Sequence, residues 1–205
     1  MPGSVTEAGQ LYTIGHSTLP EGRFIELLEH FRIEYLLDVR STPYSRYVPQ
    51  YNKDTIENVL RGAGIQYAHM GKHFGARQEN KAFYNAEGYL DFERFRESAQ
   101  FKAGLNNVKK GLEKHNIALM CTEKNPIDCH RAIMVARGFE LDGTQVMHIL
   151  HDSTAITQEE FNQQLLNRYF PDRDQISMFQ EEEKQQEDLL VLAYRKRNKK
   201  IGYRK

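Results

Sequence analysis

Residues 117–131 read IALMCTEKNPIDCHR. Ile117 to Cys121 is a short apolar run, long enough for a buried strand and too short for a helix, and the polar stretch after it ends the run. Ile133, Ala136 and Phe139 then recur at helical spacing, so the segment reads as strand, loop, helix. Both cysteines of the chain, Cys121 and Cys129, fall in it beside Glu123, Asp128, His130 and Arg131. Cys121 is expected at the strand's C-terminal end and Cys129 near the first helical turn. Unpaired N–H groups and a partial positive charge there favour a thiolate or a bound anion, and Arg131 adds a fork suited to phosphate. The alternative is plain packing, since cysteine is often buried without a role.

Outward from this stretch the same pattern repeats. Leu11–Ile14 is a strand ending in Gly15 and His16, with Ser17 or Thr18 available to cap a helix carrying Phe24, Leu27, Leu28 and Phe31. Residues 34–39 (EYLLDV) form the next strand, and Asp38 and Arg40 point to one side at its exit, followed by Ser41 and Ser45 in a loop rich in proline and tyrosine. A helix from Asp54, a strand over 65–70 bearing Tyr67 and His69, and two helical patterns over 91–101 and 105–115, broken at Gly104, lead back to Ile117. A strand over 145–150 carries His148, and Thr157 with Glu160 spells a capping box before Phe161, Leu165 and Tyr169.

This alternation predicts an α/β fold: a mostly parallel sheet of about five strands with helices on both faces, followed by a C-terminal helical and basic tail. The expected divisions are a mobile lead-in over 1–10, the α/β domain over 11–171 and the tail over 172–205. Lys+Arg and Asp+Glu balance at 28 each, so no global charge points to nucleic acid. Two cysteines, no long apolar run and no leader predict a soluble protein of the reducing cytoplasm, with no membrane contact. In a parallel sheet the C-terminal strand ends share one rim, where ligands bind. His16, Asp38, Arg40, Tyr67, His69, Cys121, Glu123 and His148 are expected to meet there.

On three motifs the chain resembles the domain-of-unknown-function family numbered 488, over roughly residues 11–150. Thr13–Thr18 is similar to its opening motif, Asp38–Ser45 to its DVRS-x-P-x-S motif, and Cys121–Arg131 to its C-x-E-x5-C-H-R motif, with a further likeness at Val146–Ile149. The resemblance implies the fold and the motif positions and supplies no reaction. In the tail, Gln175–Phe179 (QISMF) resembles the peptide by which bacterial proteins dock on the sliding clamp, with Gln175 as polar anchor and Met178 and Phe179 as the apolar plug. A helix over about 181–196 then leads into a trailing basic arm, suited to nucleic-acid backbones.

Three functions follow from these residues. The first is an enzyme acting on a phosphate-bearing substrate such as nucleic acid or a nucleotide, bound by Arg40, Ser41, Ser45, Tyr67, His130 and Arg131. Cys121 or Cys129 serves as nucleophile, or Asp38, Glu123 and His16 share acid–base work. The second is a non-catalytic nucleotide- or DNA-binding module using the same residues. The third is metal binding through Cys121, Cys129, His130 and His16. The C-x7-C-H spacing matches no common structural zinc pattern, so the spacing assigns no metal ligand, and it names no cofactor.

Overall fold

A computed structural model describes residues 8–173 and 182–205. In chain order the elements are β1 (Leu11–Gly15), α1 (Glu21–His30), β2 (Tyr35–Asp38), α2 (Lys53–Gly62), β3 (Gln66–His69) and α3 (Gly71–Phe74). They continue with α4 (Phe92–Arg96), α5 (Ala99–Leu112), β4 (Ile117–Cys121), and a π-helical turn (Arg131–Ala136) that runs into α6 (Arg137–Leu141). The last are β5 (Val146–Ile149), β6 (Ala155–Thr157), α7 (Gln158–Tyr169) and α8 (Glu182–Ile201).

The six strands lie in the order β3-β2-β4-β1-β5-β6, all neighbours parallel except the β5–β6 pair. All five residues of β4 are buried because it runs mid-sheet with both faces covered. One face packs Ile14, Leu36 and Met120 against Phe24, Leu27 and Leu28 of α1 and Ile56 and Leu60 of α2. The other packs Leu37, Leu119 and Cys121 against α5, the π turn and α7. Consecutive residues on one strand thus serve opposite cores, as the period of two requires.

The chain leaves β2 toward α2 on the first face and leaves β4 toward the π turn on the second. Adjacent strands whose connections part this way open a crevice at their C-terminal ends, and Asp38 and Met120 stand level there. The fold itself therefore selects the β2/β4 exit as the place for a ligand.

Some local expectations change. β6 is a sixth strand, three residues long, too short for its pattern to announce it. Gly104 lies inside α5 and breaks nothing; the break falls at Ser98, whose side chain accepts from the Phe101 N–H. α1 has no side-chain cap, because Ser17 takes a left-handed conformation (φ 47°) and its N–H goes to the Thr122 carbonyl. Thr157 and Glu160 do form the capping box of α7, over buried Phe161 and Leu165.

Gly9 and Gln10, just before β1, are hydrogen-bonded to Leu112 and Asn116. The C-terminal residues do not trail as an arm. Tyr194 and Arg197 of α8 are buried, and Asn198 bonds the backbone of Leu90 and Phe92. The seven basic residues from Arg195 onward all have partners within the chain. Arg195 pairs with Glu93 and Lys199 with Glu87, while Arg197 donates to the Ile127 carbonyl and pairs with Asp128. Lys196 and Lys200 lie over Phe170 and Tyr169, and Arg204 and Lys205 donate to the carbonyls of Glu87 and Glu79. The clamp-like peptide at Gln175, Met178 and Phe179 lies outside the described residues, as do residues 1–7.

Candidate functional site

A cleft of about 380 Å³ opens at the exits of β2 and β4. Cys121, Thr122, Glu123 and His130 line one side, Arg40, Ser41, Thr42 and Tyr44 a second, and Arg77, Ile201 and Tyr203 a third. Of the residues singled out from sequence, Arg40, Ser41, Cys121, Glu123 and His130 thus share one cavity.

Beneath it lies a buried ion-pair network. Asp38 is wholly buried; its Oδ1 accepts from the Arg40 N–H at 3.0 Å and from Nε at 2.9 Å, and its Oδ2 from Nη2 at 2.5 Å and the Tyr67 hydroxyl at 2.9 Å. Arg40 Nη2 also donates to the Tyr51 carbonyl at 2.7 Å, and Nη1 lies 3.2 Å from His16 Nε2. His16 stacks on the Tyr51 ring at 4.1 Å, and its Nδ1 lies 2.9 Å from the Ser17 carbonyl. Burial brings the His16 pKa down to about 4, so the ring is neutral, donating from Nδ1 to Ser17 and accepting from Arg40 at Nε2. Every nitrogen of the Arg40 guanidinium is therefore engaged inside the protein. Burial and Asp38 likewise push the Tyr67 phenol far above its ordinary range.

Arg131 is fully buried, with Nη1 donating to the Glu123 carbonyl at 2.6 Å and Nη2 to that of Lys124 at 3.2 Å. Its guanidinium pins the loop after β4. A Cβ on Gly15 would stand 1.8 Å from the Glu123 carbonyl oxygen and 3.0 Å from Arg131 Nη1, so only glycine lets β1 pass under that loop.

The chemically distinctive part is a cluster of sulfur, carboxylate and imidazole. Cys121 Sγ and Cys129 Sγ lie 3.2 and 2.8 Å from the same oxygen, Glu123 Oε2. His130 Nδ1 is 3.6 Å from Cys121 Sγ, and its Nε2 lies 3.1 Å from the Val39 carbonyl. The backbone N–H of Arg131 points at Cys129 Sγ at 3.5 Å. Cys129 is buried behind Cys121 and both are free thiols.

Burial pushes the Cys121 thiol well above its ordinary range, and the neighbouring Cys129 adds to this. Burial acts the same way on Cys129, but the Cys121 thiol, the Arg131 guanidinium and His130 outweigh it and bring Cys129 well below. One proton thus leaves the pair readily and the other is held. Glu123 is raised by burial of its inward oxygen and by Cys129; burial lowers His130, and its bond to Cys129 outweighs that and raises it.

The other expected residues lie elsewhere. Ser45 sits in the outer loop, its hydroxyl accepting from the Tyr47 N–H. His69 lies on the edge strand with Nε2 at 2.7 Å from the Arg40 carbonyl. His148 is deep in the sheet, level with Thr13, bonded to Thr13 Oγ1 and Gln158 Oε1 at 2.8 Å each. Sequence reasoning missed the third wall: Arg77 comes from a long loop and Tyr203 from the chain's end, 4.7 Å apart in a cation–π contact. The glycines and basic residues of residues 71–90 were the one signal for it.

A family model described as a domain of unknown function, DUF488, matches residues 22–137, more than half of the chain. The match includes the motifs at Asp38–Ser45 and Cys121–Arg131; those at Thr13–Thr18 and Val146–Ile149 fall outside it. No curated protein and no solved structure matches.

Proposed function

The chain belongs to the DUF488 family, and on that premise we propose that it is an enzyme acting on a phosphate-bearing substrate, a nucleotide or nucleic acid, with Cys121, Glu123, Cys129 and His130 as its reaction centre. The observation that carries this reading is the convergence of Cys121, Glu123 and His130 at the floor of a cleft on the sheet's switch point, with Cys129 buried against them. A packing role does not require two thiols, a carboxylate and an imidazole against one another where solvent enters.

The walls suit the substrate class. Arg77 is exposed beside Tyr203, and Tyr44 is half exposed on another wall, so cationic and aromatic surface face the same space. Hydroxyls of Ser41, Thr42 and Thr122 offer hydrogen bonds to phosphate oxygens. We assign Asp38, His16 and Tyr67 to positioning, because their polar atoms are committed to Arg40 and to one another. Glu123, exposed yet touching both sulfurs, is the group able to pass a proton to or from a bound ester. Recruitment to DNA by a sliding clamp docked on Gln175, Met178 and Phe179 is a separable part of the proposal. Support for a nucleic-acid grip by the C-terminal cations is weaker, since each has an intramolecular partner.

The test is a panel of phosphomonoesters, phosphodiesters and nucleotides. Wild-type protein should release product, and Glu123→Gln should lose about 100-fold or more in rate with its melting temperature nearly unchanged. Binding of panel members without product would replace this reading by the non-catalytic module.

A further inference from the structure

We propose that Cys121, Cys129 and His130 bind one divalent, borderline-soft metal ion such as Zn²⁺, with Glu123 at a fourth, exchangeable position facing the cleft. The ligand atoms of the first three all lie within 4.8 Å of one another. In a tetrahedral zinc site a sulfur and an imidazole nitrogen stand roughly 3.6 Å apart, from bonds of about 2.3 and 2.0 Å. Cys121 Sγ and His130 Nδ1 already stand at 3.6 Å.

A second, independent feature is the far side of His130. Its Nε2 is held by the Val39 carbonyl at 3.1 Å, which fixes the ring and aims Nδ1 at the sulfurs. Metal-binding histidines are held in this way, by an outer carbonyl that sets the tautomer. The Arg131 N–H directed at Cys129 Sγ offers a hydrogen bond to a thiolate, and the buried Arg131 guanidinium supplies a nearby positive charge. Two thiolates neutralise a divalent ion, and the thiol proton still held by the pair passes to solvent as it binds.

Glu123 Oε2 lies 3.2 and 2.8 Å from the sulfurs, closer than the roughly 3.6 Å expected between sulfur and oxygen ligands of one ion. The carboxylate must swing outward when metal enters, and its exposure permits this. Three protein ligands and one open position make the donor set of a reactive centre, not of a closed structural one. His16 takes no part, since both its ring nitrogens are committed to Ser17 and Arg40. The spacing fits no zinc finger because the fold, not a short loop, brings a strand end to the start of a helical turn. What the open position would do, polarise a phosphate oxygen or a water, rests on the enzyme reading above.

The experiment uses the full reduced chain, stripped with chelator and titrated first with Co²⁺ alone, then with Zn²⁺ alone. One equivalent of Co²⁺ should bring thiolate-to-metal absorption and the strong visible bands of a four-coordinate ion, and Zn²⁺ should erase them. Zn²⁺ should also slow labelling of both wild-type cysteines by about tenfold or more, a readout that needs no variant to fold. Cys129→Ser and His130→Gln should each weaken binding by about 100-fold, and Glu123→Gln by about tenfold or less. Far less than one equivalent bound, or labelling indifferent to Zn²⁺, overturns the site. Stoichiometric Zn²⁺ with no product from any phosphate ester upholds the site and removes the enzyme reading; product from the chelated chain overturns a metal role in turnover.

Discussion

His148 shows what burial does to a single ionisable group. It is wholly enclosed, lies tilted against Phe161 and accepts from Thr13 while donating to Gln158, and burial brings its pKa down to about 3. Because that value and the value of about 4 for His16 lie below the unfolded 6.5, the unfolded chain binds protons more readily in acid. Neither group costs stability above about pH 6.5; between there and pH 5 each should subtract about 2 kcal/mol. Urea unfolding at pH 7 and pH 5 should show the fall, and His148→Asn should reduce its pH dependence by about one proton's worth. An unchanged dependence would mean that His148 titrates normally in the fold. That His16, Asp38, Arg40, Cys121 and Glu123 come to one rim was legible in the sequence, because alternating strands and helices put the C-terminal strand ends on one edge; His69 and His148, expected there too, lie apart. That Arg40 would be consumed by Asp38, His16 and Tyr51 was not, since a guanidinium's partners depend on loops remote in the chain.

Helix α5 illustrates how local preference and packing disagree. Alanine at Gly104, inside a helix, would gain about 1 kcal/mol from backbone propensity. Its Cβ would stand 2.6 Å from His73 Cβ and 2.9 Å from Phe74 Cζ, and His73 is itself held by the Gln100 carbonyl. Overpacking of this kind costs about 1–3 kcal/mol, so Gly104→Ala should lower stability despite the better helix former. A rise in melting temperature would show that α3 and α5 have room to part. Strands β1 to β5 and the α7 cap were readable because their signals lie within a few neighbouring residues. Gly104 was misread because a lone glycine signals a stop and a close approach alike. The π turn has no signature, since one extra residue per turn leaves Ile133, Ala136 and Phe139 at helical spacing.

At the scale of the molecule, α8 closes the site that the sheet begins. Arg197 reaches across to the Ile127 carbonyl and Asp128, holding the loop that delivers Cys129, while Ile201 and Tyr203 form a wall of the cleft. Arg197→Ala leaves that carbonyl unpaired and should cost about 2 kcal/mol. Cys121 should then react several-fold faster with a thiol reagent at neutral pH; an unchanged rate would mean the loop keeps its place unaided. Ile201 and Tyr203 are made some seventy to eighty positions after the cysteines they shelter. A nascent chain therefore exposes its most oxidisable atoms for several seconds at about 5–20 residues per second, an interval in which the finished cavity gives them no cover.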